Sequence, residues 1–148
     1  MKFKHCYNIL LTLAFGVFVA CKPDTTCRLS TDVLVQIPIS HSAIDTLIVQ
    51  GCDNDLALYN ANSSITSILI PLRQDANTTQ YTLFFNDKYD TLTIFHQNNT
   101  HFISLACGCA VYHIIDSVGA TARIDSATIV NSAVETILQD NIKIHLKP

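Results

Sequence analysis

The 148-residue sequence has no tryptophan, few charged residues and, after its first 21 residues, no long hydrophobic run. Every later apolar stretch is interrupted by polar residues within about nine positions, whereas a membrane-spanning helix needs about 20 apolar residues. The later sequence therefore predicts no transmembrane helix. Carbohydrate sites often expose aromatic platforms, so the absence of tryptophan, with tyrosine and phenylalanine falling mostly within predicted strands, counts against such a site.

The sequence also lacks the motifs that mark common catalytic sites. It contains neither the Gly-x-Ser-x-Gly turn of serine hydrolases nor the His-Glu-x-x-His pair of zinc proteases. Four histidines are scattered over separate segments: His96, His101, His113 and His145. Because His96 would share one face of a strand with Leu92 and Ile94, we expect it to be a partly buried structural residue. We therefore predict a protein with no enzymatic activity, no cofactor and no metal site.

One acidic cluster, Asp53-Asn54-Asp55, allows two chemical interpretations besides a plain turn. Its alternating oxygen ligands resemble the start of a calcium loop, but the glycine and the distal glutamate of such a loop are missing. Asp53 and Asp55 could also form a carboxylate pair for acid–base chemistry. Asn and Asp side chains commonly bond the local backbone in turns, and a turn is the interpretation that we favour.

The chain does have a distinctive N-terminus, MKFKHCYNILLTLAFGVFVAC. Lys2 and Lys4 precede an uncharged apolar segment, Ile9–Ala20, which is the plan of a secretory signal peptide and is too short to span a bilayer. The ending on Cys21 resembles a bacterial lipoprotein signal, although Phe18 stands where such signals usually carry leucine. We therefore predict a signal peptide helix over residues 1–20, with the lipid attached to Cys21.

Removal of the signal peptide leaves 128 residues with seven basic and twelve acidic side chains, a net charge of about −5. This charge argues against a nucleic-acid partner and against electrostatic binding to anionic lipid. The predicted membrane contact is the N-terminal lipid alone. One acyl chain binds a bilayer only marginally, and bacterial lipoprotein cysteines resemble the multiply acylated case.

The mature chain has the length of one domain. Residues 21–30 are polar and predict a spacer, and residues 31–148 consist of short period-two segments separated by turn residues. This pattern predicts an all-β, antiparallel two-sheet sandwich of about eight to ten short strands. Pro38 favours an edge position for the first strand, and Gln97-Asn98-Asn99 predicts a turn. The segment 131–138 could form a weak helix, a strand or a turn.

The mature chain contains five cysteines, of which four remain if Cys21 carries the lipid. Four cysteines in an exported protein favour two disulfides, and three pairings are open. A zinc site is the competing interpretation, but Cys107-Gly108-Cys109 lacks the two-residue spacing of a zinc knuckle. Cysteines two positions apart bridge each other only with strain, so long-range pairs are favoured.

Several segments resemble a family of uncharacterised lipoproteins from Bacteroidetes. The shared segments, as they stand here, are Cys21–Cys27, Asp45–Gly51, Ile70–Tyr81, Asp90–Ile94, Ser104–Gly108 and Asn141–Ile144. Cys52 and Cys109 are additional to the family pattern. The resemblance implies a common disulfide between Cys27 and Cys107, which leaves Cys52 and Cys109 as a second pair. It implies no catalytic or binding residues, because none are known for the family.

A triplet of Asp, then Ser or Thr, then a small or aliphatic residue recurs five times. It resembles the O-glycosylation motif of exported Bacteroidetes proteins, which would place glycans on Thr25, Thr46, Thr91, Ser117 and Ser126. Thr25 in the spacer is the favoured site. The alternative is structural, since Asp-Thr at the entrance of a strand is ordinary turn chemistry.

Position 22 is lysine rather than the aspartate that retains lipoproteins in the inner membrane, so we expect the outer membrane. The residues directly after Cys21 include a single acidic residue, Asp24, instead of the acidic run of surface-exported lipoproteins. This favours a periplasm-facing location over the cell surface. We predict a non-enzymatic outer-membrane lipoprotein with a structural, assembly or protein-binding task and a protein partner in the cell envelope. The alternative is a β-sandwich module that binds a glycan or a small molecule.

Overall fold

The computed structural model describes residues 26–40, 47–51, 57–61, 65–85, 88–121 and 124–147. The predicted signal peptide helix and Cys21 lie outside these residues. Within them, no helix is long and apolar enough to cross a membrane.

The described residues form ten strands and no helix. In chain order they are β1 (Leu34–Ser40), β2 (Leu47–Gly51), β3 (Ala57–Ala61), β4 (Ser67–Pro71), β5 (Thr78–Phe85), β6 (Lys88–Ser104), β7 (Gly108–Ala120), β8 (Ile124–Ile129), β9 (Ala133–Val134) and β10 (Ile142–Leu146). Where the sequence left helix, strand and turn open for residues 131–138, the structure has only the two-residue strand β9.

The strands form two packed sheets, which confirms the predicted all-β sandwich. The four-stranded sheet has the order β4-β1-β10-β8, and the six-stranded sheet has the order β3-β2-β5-β6-β7-β9. All neighbouring pairs are antiparallel except β1 and β10, which run parallel.

Side chains that alternate along the strands build the core between the sheets. In β5 and β4 every second residue is buried, as the period-two sequence pattern predicts. Ile37 and Ile144 in one sheet and Leu83 and Ile94 in the other are fully buried. Across the two sheets, the hydroxyl of Tyr81 donates to the carbonyl of Pro71. Burial raises the pKa of Tyr81 to about 12.

The predicted edge position of β1 is wrong, because β1 lies between β4 and β10 despite Pro38. The N–H of Gln36 donates to Oδ1 of Asn141 at 3.1 Å, and the carbonyl of Gln36 accepts the N–H of Asn141 at 2.9 Å. Since backbone direction alternates along a strand, the nitrogen of Pro38 faces the same side, where the paired residues of β1 and β10 begin only at Ile39. The pairing between β1 and β10 is thus interrupted at Pro38, which has no N–H to donate.

The predicted turn at Gln97-Asn98-Asn99 is also wrong, since β6 runs through it as one 17-residue strand. The side-chain amide of Asn98 donates to the carbonyls of Gln74 and Ala76, at 3.0 and 2.8 Å. Asn98 thus holds the loop before β5 against an extended strand instead of forming a turn of its own.

Candidate functional site

The distal half of the β6–β7 hairpin extends beyond the other strands. In the register of the six-stranded sheet, β5 pairs with β6 only as far as Phe95, and β9 pairs with β7 only at His113 and Ile114. The segment from Asn99 to Tyr112, called the arm below, is therefore a two-stranded ribbon. Within the part of the chain that the structure describes, no third strand pairs with it.

The arm is exposed and carries no formal charge. Phe102 is 59% exposed and Leu105, in the turn, is 99% exposed. Ala110 is the one residue of the arm whose side chain is buried. No Asp, Glu, Lys or Arg occurs between Asp90 and Asp116, although the chain as a whole is acidic, with a formal net charge of −3. A hairpin of only two strands is marginally stable in water, so this ribbon needs another source of order.

A disulfide between Cys27 and Cys107 supplies a covalent connection at the end of the arm. It joins the N-terminal segment to the turn between β6 and β7 across 80 positions of sequence. Gly108 follows with a φ of +73°, a left-handed conformation that glycine adopts without strain. The bridge is the pair that the family resemblance implies.

A cluster of four polar side chains, three of them buried, lies where the arm leaves the sandwich. His96 and His113 face each other from β6 and β7, with their rings at 86° and their centroids 5.1 Å apart. Nδ1 of each ring lies within hydrogen-bonding distance of Oδ1 of Asn98, at 2.9 and 2.8 Å. Nε2 of His96 is 2.8 Å from the hydroxyl of Thr79.

The contacts of this cluster place a proton on Nδ1 of both rings. Because the amide of Asn98 donates to two carbonyls, its Oδ1 can only accept, so both Nδ1 atoms carry protons. The hydroxyl of Thr79 accepts the N–H of Arg73, and it can donate to Nε2 when the ring of His96 is neutral. These contacts are compatible with two neutral imidazoles.

Burial also favours the neutral rings. Burial, and to a smaller extent the neighbouring His96, lower the pKa of His113 to about 4. Burial lowers the pKa of His96 as well, although the hydrogen bond to Asn98 and the charge of Asp116 oppose the shift. At neutral pH the cluster is therefore uncharged.

A surface groove of about 400 Å³ adjoins the cluster. It is lined by Asn99, Thr100, His101, Tyr112, His113, Ile114, Ala133 and Glu135. The rings of His101 and Tyr112 are stacked, 4.8 Å apart and 14° from parallel. Among the described residues every buried side-chain nitrogen or oxygen has a hydrogen-bond partner. Since His113 lines the groove and its ring bonds Asn98 through Nδ1, an unprotonated Nε2 can accept a hydrogen bond there.

The second predicted disulfide is not formed in the described part of the chain. Cys109 lies on β7 with a free, exposed thiol. Cys52, its predicted partner, lies outside the described residues, as does the Asp53-Asn54-Asp55 cluster with its calcium and acid–base alternatives. No group of three or more potential metal ligands occurs within the ranges that the structure describes.

The five predicted glycosylation positions fall in different settings. Thr25 and Thr46 lie outside the described residues. Thr91 and Ser126 are half-buried in β6 and β8, and Ser117 is exposed in β7.

The aspartate before Thr91 has a structural role that the triplet pattern does not reveal. Asp90 is buried, and its carboxylate accepts hydrogen bonds from the hydroxyl of Thr121 and from the N–H of Ile124, both at 3.0 Å. It therefore organises the connection between β7 and β8.

Sequence reasoning missed most of the polar cluster. His96 was placed on the buried face with Leu92 and Ile94, where the structure also has it. His113, Asn98 and Thr79 were not singled out, because their common meeting point depends on the pairing of β5, β6 and β7. The one signal in the sequence is a histidine that continues the apolar alternation of a strand, as His96 does after Leu92 and Ile94.

Comparison with known proteins gave one result. A family model described as a family of unknown function (DUF6452) matches residues 46–146. No curated protein and no solved structure matches the chain significantly. The expectation of an uncharacterised family is thereby confirmed.

Proposed function

Because the chain belongs to a family of unknown function, DUF6452, we propose its task from its own geometry. It is a non-enzymatic lipoprotein of the outer membrane that binds another protein of the cell envelope through the arm. The observation that carries this proposal is the free backbone edge of the arm, since an unpaired strand edge is a template for the addition of a further strand.

The direction of the free N–H groups follows from the contacts of β7. The N–H of Ile115 points away from β6 and donates to the carbonyl of Ser132 at 2.8 Å. Because N–H groups alternate along a strand, those of His113 and Val111 point the same way. The residue His113 faces β9, whereas Val111 lies beyond it. The outer N–H of Val111 is therefore placed to receive a strand of the partner.

The proposed location in the cell envelope is supported by the N-terminal sequence and by the disulfide. A disulfide between Cys27 and Cys107 is typical of an exported protein, because the cytosol keeps thiols reduced. The lipid is attached to Cys21, as in the Bacteroidetes lipoproteins that the sequence resembles, and the domain faces the periplasm.

The proposal is tested by photo-cross-linking in the native host. A benzophenone side chain replaces the exposed Thr100, and we expect a discrete protein adduct. Val111→Pro removes the outer N–H, so the adduct should be lost. Val111→Thr keeps the N–H and a β-branched side chain, so it serves as the matched control and should retain the adduct.

Two outcomes would contradict protein binding at this edge. One is the absence of any protein adduct from Thr100 while the protein is folded and membrane-bound. The other is an adduct that Val111→Pro leaves unchanged, which would place the contact on side chains and exclude strand addition.

The alternative function, binding of a glycan or small molecule, is favoured by the groove beside the arm. The stacked rings of His101 and Tyr112 offer an aromatic surface, while Nε2 of His113 and the carboxylate of Glu135 accept hydrogen bonds. A neutral ligand rich in hydroxyl groups matches this lining. Saturation-transfer NMR with soluble glycans should then give signals that Tyr112→Ala removes, and identical spectra for both proteins would exclude the groove.

Glycosylation at the Asp-Ser/Thr positions completes the proposal. Among the described positions, Ser117 is exposed, so its hydroxyl is accessible to a transferase. The intact mass of the protein from its own host should exceed that of the lipidated polypeptide. A mass equal to the lipidated polypeptide would refute glycosylation.

A further inference from the structure

We propose that the end of the arm docks onto the phospholipid bilayer that carries the lipid anchor, with Leu29, Phe102 and Leu105 entering the headgroup region. The inference rests on the lipid attachment to Cys21 proposed above. It adds a second membrane contact, made by the folded domain itself.

The length of the tether brings the end of the arm close to the membrane. Cys27 follows Cys21 by six residues, and six fully extended residues span at most about 22 Å. The Cα atoms of Cys27 and Cys107 are 4.6 Å apart. The six-residue segment and the disulfide therefore hold the turn of the arm close to the anchored cysteine.

The side chains at this end of the molecule have the character of an interfacial anchor. Leu105 is two residues from Cys107 and is 99% exposed, Phe102 is 59% exposed, and Leu29 is 59% exposed two residues after Cys27. Leucine and phenylalanine are the residues with which membrane-surface segments bury themselves below the headgroups. Three exposed apolar side chains so close to the disulfide form a candidate contact surface.

The charge distribution allows the arm to contact the bilayer, to which the short tether holds it. The mature protein is acidic, so its body is repelled by anionic lipid. The 25 residues between Asp90 and Asp116 contain no Asp, Glu, Lys or Arg. The arm can therefore enter the interface without repulsion and without the cost of removing a charged side chain from water. Docking places the free edge at Val111 beside the membrane, where a membrane-bound partner can reach it.

The absence of tryptophan allows a direct test, because each single Trp variant contains one indole fluorophore. Leu105→Trp is the probe. Tyr89→Trp is the matched control, because Tyr89 is 72% exposed on the same strand, β6, and lies 13 positions from Phe102, about 40 Å along the strand. The mature chain with a histidine tag in place of Cys21 is bound to vesicles of phosphatidylethanolamine, phosphatidylglycerol and nickel-chelating lipid, some containing brominated acyl chains.

We expect bromolipid to quench the Leu105→Trp fluorophore at least about threefold more strongly than the Tyr89→Trp fluorophore, together with a blue shift of its emission. Equal, weak quenching of the two would overturn the docking and leave a protein as the cover of the arm. The nickel tether makes this result independent of natural lipidation. Lipidation is measured separately, from the mass of the N-terminal peptide of membrane-extracted protein.

A second probe guards against a misfolded tryptophan variant. Cys109 pairs with Phe102 across the arm and has a free, exposed thiol. In a Cys52→Ser chain, an environment-sensitive fluorophore on Cys109 should shift to shorter wavelength on these vesicles. An emission that is the same with and without vesicles would contradict the proposal.

Discussion

The sandwich body and the arm are made from the same two strands but are stabilised in different ways. In the body, β6 has a paired strand on each side, and Leu92, Ile94 and His96 are buried in succession. In the arm, among the described strands, β6 and β7 pair only with each other, and Phe102 and Leu105 are exposed. The body is therefore stabilised by packed side chains. The arm is stabilised by the backbone hydrogen bonds between β6 and β7 and by one disulfide.

This difference teaches where function can reside. Residues of the body are constrained by packing, so a change there is felt by the whole domain. Residues of the arm have no such constraint, and their apolar, uncharged character has no explanation within the fold. An exposed ribbon without charges is a hazard for aggregation unless something covers it. The proposed contacts with a protein partner and with the membrane therefore both involve the arm.

The largest expected effect comes from a cavity in the body. Ile94→Ala removes a fully buried side chain between the sheets, so the free energy of unfolding should fall by about 2–5 kcal/mol. Urea denaturation followed by circular dichroism measures the loss. A loss below about 1 kcal/mol would mean that the body can collapse around the cavity, and it would weaken the contrast with the arm.

Removal of the disulfide tests what orders the arm. The double variant Cys27→Ser, Cys107→Ser opens a loop of 80 residues, and the chain-entropy treatment gives a loss of about 4 kcal/mol, with less in practice. Hydrogen exchange should show the amides of residues 99–112 losing protection first. Cys109→Ser is the control and should change neither quantity. Retained protection in the arm would show that its ladder suffices alone.

Asn141→Ala tests the polar connection between the two sheets. Its side chain accepts the N–H of Gln36 and donates to the carbonyls of Asn131 and Ala133. Leaving these buried groups unpaired should cost about 2–3 kcal/mol in the free energy of unfolding. Asp140→Ala removes an exposed hydrogen bond to the side chain of Gln36 and should cost less than about 1 kcal/mol. Equal losses for the two variants would contradict the role of Asn141.

The body was predictable from sequence because its pattern is local. The alternation of apolar and polar residues along β4 and β5 is visible within each segment. It predicts the strands, their buried face and the sandwich. The roles of Asn98 and Asn141 were not predictable, since their partners lie 22 and 105 positions away along the chain. An asparagine that bonds a distant carbonyl looks, in sequence, like an asparagine in a turn.

The arm was less predictable for a related reason. The residues Gln97-Asn98-Asn99 predict a turn, with one strand ending before it and the next beginning after it. In the structure β6 continues for five more residues after Asn99. The disulfide followed from a family resemblance, because four cysteines alone left three pairings open. The apolar residues Phe102 and Leu105 fit a core strand equally well in sequence, and only the register of β5 shows that no core covers them.

The histidine pair at the junction of body and arm should make stability depend on pH. The pKa of His113 is about 4 when folded, and that of His96 is also lowered, so the unfolded chain binds protons more readily. Stability is therefore full above about pH 6.5 and falls as the pH drops toward 4, by at most about 1.4 kcal/mol per pH unit for each proton.

The measurement is urea denaturation at several values between pH 7.5 and 4.5, comparing the natural chain with His113→Gln. The glutamine can still donate to Asn98 but has no titrating ring, so its decline below pH 6.5 should be shallower. Parallel curves for the two proteins would show that carboxylates elsewhere cause the decline.

The smallest expected effect completes the comparison, because it repeats the first prediction in the arm. Phe102→Ala deletes a larger side chain than Ile94→Ala, yet more than half of that side chain already faces water. Its loss should change the free energy of unfolding by no more than about 0.5 kcal/mol, as is usual for surface positions. The same urea titration measures it. A loss above about 2 kcal/mol would mean that Phe102 packs against the body. A residue held by such packing would not be free to contact a membrane or a partner, so the small effect on stability is the condition on which the role of the arm depends.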